Sequence, residues 1–314
     1  MKRNHTHRIA VTLAATLLGG WIATVTAQPP GQEEMNRRPD NSGTGAWPAM
    51  KEEVASLPAH VVYRPNDLSA LGSQKLGVVA WGNGGCSPDG ASSRFHLLEL
   101  ASHGYLVIAS GNILSGPGAP PRDENAQRER TTAAGLTEAL DWAFAENERE
   151  GSPYYGKLHP DQVAVSGFSC GGLQALEVAA DPRIDTLVLM NTGILIDASG
   201  APAPGMGNIK KDHLRVIHTP TIYILGGESD IAYVNGMDDY ERIDHVPVVA
   251  ANLLEAGHGG TYSHENGGVA AQVAVNWLNW QLRDDAEAAK YFIGDDCVLC
   301  KDPAWSIESK NLAR

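Results

Sequence analysis

The sequence predicts an α/β fold, in which helices cover both faces of a mostly parallel β-sheet. Short runs of Val, Ile and Leu alternate along the chain with longer amphipathic segments, and continuous apolar strands between helices are typical of parallel sheets that are buried on both faces. The composition is that of a globular protein, with 43% hydrophobic and 19% charged residues. The 314 residues are enough for one large domain or two ordinary ones.

The first 27 residues are predicted to be an export signal. Lys2, Arg3 and Arg8 form a basic start, an apolar stretch covers residues 9–25, and Ala27 is the small residue before the expected cleavage point. A retained membrane anchor is the alternative, although threonines and glycines dilute the apolar stretch. We therefore expect a secreted or periplasmic protein, without stable membrane insertion after cleavage, in a compartment that permits disulfides.

The chain carries a formal net charge of −13, which becomes more negative when the basic leader is removed. Nucleic-acid binding needs basic patches, and the mature sequence contains no extended run of Lys and Arg. The charge therefore argues against a nucleic-acid partner and suits a neutral or cationic ligand. It does not determine an oligomeric state.

Three segments are predicted after the leader. Residues 28–56 begin with a polar, Pro- and Gly-rich stretch without periodicity and are predicted to be a flexible linker. Residues 57–285 carry the alternating pattern and are predicted to form a single domain. Residues 286–314 are predicted to be a C-terminal tail that contains a Cys-x-x-Cys sequence.

The elements of the central segment follow from its apolar periodicity. Strands are predicted at residues 75–81, 105–110, 163–166, 186–190, 221–225 and 246–250. Helices are predicted at residues 92–102 and 131–147, directly after residue 169, and along a face formed by Ala270, Val273, Trp277 and Trp280. Residues 192–219 are a candidate insertion, too short for a separate lid domain.

The strongest chemical signal is a Gly-x-Ser-x-Gly motif centred on Ser169, at the point where a predicted strand turns into a helix. A serine at such a sharp turn is a nucleophile elbow, in which small flanking residues relieve the crowding. Isolated copies of the motif arise by chance in many chains, and an ordinary glycine-rich turn is the alternative here. The strand and helix around the motif favour the nucleophile.

A serine nucleophile needs a histidine to accept its proton and a carboxylate to orient that histidine. Asp230 follows the strand predicted at residues 221–225, and His258 follows the next strand along the chain. The order serine, aspartate, histidine is the one expected of α/β-hydrolases. A solvated turn aspartate and a structural loop histidine are the alternatives, and the reserve candidates are Glu228, Asp197 and His264.

Acyl transfer also needs backbone N–H groups directed at the developing oxyanion. The residue after the nucleophile, Cys170, is one predicted donor. The second is predicted in the loop that follows the strand at residues 75–81, at Asn83, Gly84 or Gly85, because glycines let a peptide present its N–H without a clash. A glycine-rich strand exit without a ligand is the alternative.

With these motifs the chain resembles a secreted α/β-hydrolase over about residues 57–283. The resemblance is carried by GFSCGG, WGNGGC, GGESD and GHGG, and the lidless layout is similar to the dienelactone hydrolase-like, chlorophyllase-like and polyester hydrolase branches. It implies hydrolysis of carboxylic esters through an acyl-enzyme. Cys170 departs from the Met, Gln or Leu commonly seen after the nucleophile.

The four cysteines are an even number, as expected of disulfides in an exported protein. In an α/β-hydrolase the loops that carry Cys86 and Cys170 converge on one substrate carbonyl, so these two residues could pair, with buried thiols as the alternative. For Cys297 and Cys300 a local disulfide is expected instead of a redox or zinc site.

Substrate contacts are predicted at the aromatic residues Trp81, Tyr233 and Tyr262, with simple packing as the alternative. The loop at residues 111–130 is expected to line an open cleft that accepts small-molecule or polymeric esters. No metal-ligand spacing is present in the sequence, and no cofactor is expected. A serine peptidase and a catalytically silent binding protein on a hydrolase scaffold are the alternative functions.

Overall fold

The computed structural model describes residues 32–121, 129–195 and 209–312. A nine-stranded sheet organises them, in the order β1-β2-β4-β3-β5-β6-β7-β8-β9. The pairs from β4 through β8 are parallel, whereas β1–β2, β2–β4 and β8–β9 are antiparallel. The predicted α/β class with a mostly parallel sheet is therefore confirmed.

Strands β3, β4, β6 and β7 are short and buried throughout, whereas β5 is longer and exposed in part of its first half. The bounds of the strands are β1 Ala49–Glu52, β2 His60–Pro65, β3 Leu76–Gly82, β4 Tyr105–Ser110, β5 Leu158–Phe168, β6 Thr186–Met190, β7 Thr221–Leu225, β8 Val248–Leu253 and β9 Trp305–Lys310. Three of them coincide with the prediction residue for residue, namely β4, β6 and β7. Strand β5 is longer than predicted because its polar first half also pairs, through Leu158, with β3.

Helices lie on both faces of the sheet, as predicted. Their bounds are α1 Gln32–Arg37, α2 Arg94–Ser102, α3 Ala134–Glu148, α4 Cys170–Glu177, α5 Tyr233–Arg242, α6 Gly268–Arg283, α7 Ala286–Ala289 and α8 Val298–Lys301. Among these residues no helix is both long enough and apolar enough to cross a bilayer.

Two hydrophobic cores result, one on each face. On β3, Val78 and Ala80 join the core beneath α3 and α4, while Val79 and Trp81 join the core beneath α2 and α6. This alternation is the period of two that a strand imposes on its side chains.

The ordered domain extends beyond both predicted boundaries. Strand β1 of the predicted linker pairs with β2, and strand β9 of the predicted tail pairs with β8 along its whole length. Both are edge strands of mixed polarity, so they lack the continuous apolar run by which the inner strands were recognised. The predicted signal at residues 1–27, and residues 28–31 of the linker, lie outside the described residues.

The carboxyl ends of the parallel strands meet at one edge of the sheet, where binding sites of such folds lie. The loops after β3, β5, β7 and β8 carry the predicted oxyanion residues, Ser169, Asp230 and His258 in that order. The fold therefore gathers at one edge residues that are far apart in the sequence.

Candidate active site

Ser169 is the single residue between β5 and α4, and its backbone is strained. Its φ of 53° and ψ of −117° lie in a region of backbone conformation that residues other than glycine rarely adopt. Such a conformation costs about 1–3 kcal/mol and persists only where the surroundings impose it. Here the Ser169 N–H donates to the Met190 carbonyl at 2.9 Å, and the Thr192 hydroxyl donates to the Ser169 carbonyl at 2.8 Å.

Two glycines of the motif are required by close backbone packing. A Cβ atom at Gly167 would lie 2.4 Å from the backbone of Gly171, and one at Gly171 would lie 2.0 Å from the carbonyl group of Gly82. The first turn of α4 is therefore pressed against the end of β3. This packing brings the loop after β3 next to the turn at Ser169.

The three residues selected from the sequence form one hydrogen-bonded relay. Nε2 of His258 lies 3.0 Å from Oγ of Ser169, and Nδ1 of His258 lies 2.6 Å from Oδ1 of Asp230. The Asp230 side chain is fully buried, whereas 27% of the His258 side chain is exposed. A hydroxyl, an imidazole and an oriented carboxylate in this geometry can together generate a serine nucleophile.

The reserve candidates lie outside this relay. Glu228 and His264 are exposed on their loops. Asp197 lies outside the described residues.

Asp230 is surrounded by donors. Its Oδ1 also accepts the Ala232 N–H at 2.9 Å, and its Oδ2 accepts from Asn191 Nδ2 at 2.7 Å and from the Gly226 N–H at 3.0 Å. Burial is the largest single influence on Asp230, and it raises the pKa of the carboxyl group. The hydrogen bonds that the carboxylate accepts, of which the one from His258 is the strongest, together outweigh burial and leave the pKa below its usual value. The carboxylate is therefore ionised at neutral pH, which suits its partnership with the histidine.

Asn191 is a site residue that the sequence prediction missed. It directly follows β6 with a φ of 46°, a left-handed conformation that asparagine tolerates better than most residues. Its Nδ2 donates to Asp230 Oδ2 at 2.7 Å and to the Gly257 carbonyl at 3.2 Å, and its Oδ1 accepts from the Tyr262 hydroxyl at 2.8 Å. One side chain thus connects the loops that carry the aspartate and the histidine. Its place directly after a buried strand was the signal available in the sequence.

The predicted substrate contact at Trp81 needs correction. Trp81 is fully buried beneath α2 and α6, where its Nε1 donates to Asn83 Oδ1 at 3.1 Å, so its ring cannot stack on a substrate. Strand β3 turns Trp81 toward the core because alternate residues face opposite sides. Tyr262 is 7% exposed; its hydroxyl donates to Asn191, and the residue also lines a pocket at this edge of the sheet. Tyr233 begins α5 and packs, partly buried, against the core on that face of the sheet.

The side of the cleft next to Ser169 is apolar. It is narrow, and its lining comprises the apolar side chains of Leu173, Leu195, Ile231 and Ala232 together with Asn191, Thr192, Gly193 and His258. Ile231 is 75% exposed, so the rim of the cleft is hydrophobic. The loop at residues 111–130 contributes Ser115 and Arg130 to two neighbouring pockets, and its residues 122–128 lie outside the described residues.

The loop after β3 is tied to the nucleophile helix by a disulfide between Cys86 and Cys170, whose Cα atoms are 5.2 Å apart. A second disulfide joins Cys297 and Cys300. Of the two possibilities that the sequence left open for Cys86 and Cys170, the structure contains the bridge.

The predicted oxyanion donors lie on the two sides of this bridge. Cys170 begins α4, and the first N–H groups of a helix have no intrahelical acceptor. The Asn83 side chain donates to the Ser87 carbonyl at 2.9 Å and to the Ser110 carbonyl at 2.5 Å, so it braces the loop. A donor from this loop would therefore be a backbone N–H, at Asn83, Gly84 or Gly85.

No model of a protein family matches this chain, and no curated protein is detectably similar to it. Within the described ranges no group of three or more His, Cys, Asp or Glu side chains is arranged to hold a metal ion.

Proposed function

We propose that this protein is a serine hydrolase of the α/β-hydrolase type that cleaves carboxylic esters through an acyl-enzyme. The observation that carries the proposal is the relay from Ser169 Oγ to His258 Nε2 and from His258 Nδ1 to Asp230, located at a strained elbow. Backbone strain persists only where the surroundings impose it, and it is concentrated at functional sites.

In the acylation step, His258 Nε2 accepts the proton of the Ser169 hydroxyl while Oγ bonds to the ester carbonyl carbon. The carbonyl electron pair moves onto its oxygen, where the N–H of Cys170 and a backbone N–H of the loop at residues 83–85 would donate to it. When the intermediate collapses, the bond to the alcohol oxygen breaks and His258 returns the proton to that oxygen. The acyl group remains on Ser169.

In the deacylation step, a water molecule gives a proton to His258 and attacks the acyl carbon. The bond to Ser169 Oγ breaks, Oγ recovers the proton from His258, and the acid is released. Throughout the cycle the ionised Asp230 stabilises the imidazolium and keeps Nδ1 as its donor. The four donors around Asp230 hold it in place for that role.

We place this activity outside the cytosol, in a secreted or periplasmic protein. Two disulfides in the described residues support an oxidising compartment. The N-terminal sequence supports export by its basic start and apolar stretch.

The proposal is tested with the nucleophile itself. Ser169→Ala should lower kcat for short-chain aryl esters by about 10⁴- to 10⁶-fold, as removal of a triad member does in serine hydrolases. Ser229→Ala, which removes an exposed hydroxyl next to Asp230, is the matched control and should retain activity. Both chains should give the same circular dichroism spectrum.

A fluorophosphonate probe identifies the reactive residue independently of the substrate. Mass spectrometry should locate the label on Ser169, and labelling elsewhere with Ser169 unmodified would refute the assignment. A labelled protein that cleaves peptides but no ester in a panel of graded acyl length would favour the peptidase. Absence of both labelling and turnover would favour a silent binding protein.

A further inference from the structure

A second pocket, of about 340 Å³, opens at the same edge of the sheet on the side of α2. Gly84 of the predicted oxyanion loop and Gly259, the residue after His258, both line it. Its wall toward the relay is Phe168, whose ring centroid lies 5.2 Å from that of His258. The pocket therefore adjoins the histidine that returns a proton to the leaving alcohol.

Buried serine hydroxyls distinguish this pocket from the apolar cleft at Ser169. Ser93 and Ser115 both line it, and each is only 3% exposed. The Ser93 side chain does not cap α2, and Ser115 Oγ has no hydrogen-bond partner among the described residues. A buried hydroxyl without a partner is unfavourable, so a ligand that could bond to it would be stabilised.

The charge of the pocket is already compensated. The Arg94 guanidinium donates from Nε to Asp40 at 3.0 Å, and from Nη2 to the carbonyls of Met35 at 2.6 Å and Arg38 at 3.1 Å. These contacts also fasten the N-terminal segment over the pocket, where Met35 forms part of the wall. A neutral ligand fits this lining better than an anion does.

An aromatic wall completes the arrangement. The rings of Phe168 and Tyr262 pack 4.4 Å apart, and both line the pocket. This lining matches a ligand that is a ring bearing hydroxyl groups. The serine hydroxyls of the pocket would fix the orientation of such a ligand, and the aromatic rings would supply contact area for its ring face.

We propose that this pocket binds the alcohol half of the substrate, and that this alcohol is a neutral polyhydroxylated ring of about the size of one sugar. The inference rests on the proposed ester hydrolysis, since it assigns the two halves of the ester. The alcohol occupies the serine-lined pocket beside His258. The acyl group occupies the apolar cleft lined by Leu173, Leu195 and Ile231.

Two acetate esters test the assignment, 6-O-acetylglucose and cyclohexylmethyl acetate. Both carry the acetyl group on a CH₂ attached to a six-membered ring, and they differ in the ring hydroxyls and the ring oxygen. The wild type should show the higher kcat/KM for the sugar ester. Ser115→Ala should lower the ratio of the two kcat/KM values about three- to tenfold, which corresponds to one lost hydrogen bond. Removal of an unpartnered hydroxyl should not weaken folding.

Thr132→Ala is the matched control, because Thr132 lines a separate pocket on the far side of the Cys86–Cys170 bridge. It should leave the ratio unchanged. An unchanged ratio in Ser115→Ala and also in Ser93→Ala would overturn the proposal, as would an equal fall in Thr132→Ala. A preference of the wild type for a ring alcohol that bears a carboxylate would overturn the neutral assignment.

Binding to the Ser169→Ala chain separates this proposal from the proposed reaction. Glucose should shift the amide NMR resonances of Gly84 and Gly259 more than cyclohexylmethanol does, and Ser115→Ala should weaken that shift. Binding of glucose without turnover of any ester would retain the subsite and reject the esterase. Turnover of esters with no glucose-dependent shift at either glycine would reject the subsite and retain the esterase.

Discussion

Replacing Asn191 by glycine should slow catalysis without unfolding the protein. Glycine adopts the φ of 46° at this position without strain, so the substitution removes the side chain while the backbone conformation is retained. Of the three hydrogen bonds that are lost, the one that acts on Asp230 directly is that from Nδ2 to its carboxylate at 2.7 Å; those with the Gly257 carbonyl and the Tyr262 hydroxyl are lost as well. Hydrogen bonds to charged groups contribute about 1.5–3 kcal/mol.

If that energy appears in the transition state, where Asp230 stabilises the imidazolium, kcat should fall by about 10- to 100-fold. KM should change less than kcat, because Asn191 lines the cleft but the polar atoms of its side chain bond to Asp230, Gly257 and Tyr262. The assay is steady-state hydrolysis of an aryl acetate, with thermal unfolding measured in parallel. Asn266→Gly is the matched control, since Asn266 has a φ of 54° and lies outside the relay.

Tyr262→Phe extends the test. The Tyr262 hydroxyl bonds to Asn191 and acts on the relay through it. Alone, Tyr262→Phe should raise the activation free energy that kcat reports by about 0.5–1.5 kcal/mol. In the Asn191→Gly background it should leave that activation free energy almost unchanged. An unchanged kcat in Asn191→Gly, or a Tyr262→Phe effect of the same size in both backgrounds, would refute the reasoning.

Three further predictions concern the histidine, the disulfide and acid stability. His258→Ala should abolish ester turnover while His264→Ala, on an exposed loop, should retain it; equal losses would contradict the choice of base. Replacing both Cys86 and Cys170 by serine should lower the free energy of unfolding by about 2–4 kcal/mol and reduce kcat, because the bridge ties the proposed oxyanion loop to α4. Non-reducing peptide mapping should recover the two cysteines as a linked pair, and alkylation of both thiols without prior reduction would exclude the bridge. Folding lowers the pKa of Asp230, so as the pH falls the unfolded chain binds the proton before the folded protein does. The stability that this carboxylate contributes above about pH 4 should therefore be lost as the pH falls through its folded pKa. Asp230→Asn should lack that part of the loss of stability in acid. Parallel curves of unfolding temperature against pH for the wild type and the variant would contradict this prediction.

The inner part of the sheet was predictable because its signal is local. Strands such as Thr221–Leu225 are continuous apolar runs, and each is followed by a polar or glycine-rich turn. The edge strands were not predictable in the same way. Strand β9 has one buried residue, Trp305, and it becomes a strand by pairing with β8.

The site divides in the same manner. Ser169, Asp230 and His258 each follow a recognisable strand, and parallel strands necessarily end at a common edge, so their meeting could be inferred before any coordinates. The burial of Trp81 could not be inferred in this way, because a residue near the end of a strand can either pack beneath a helix or reach the loops of the site. The strand places it in the core beneath α2 and α6.

The sequence by itself determined the α/β class, the order of the inner strands along the chain and the serine, aspartate and histidine that the relay joins, because apolar periodicity and the residues at strand ends are properties of short segments. The tertiary structure alone decided the Cys86–Cys170 bridge, the contacts of Asn191 and the closure of the serine-lined pocket by Met35. Each of these joins segments far apart in the chain, and such contacts depend on how the helices pack on the sheet.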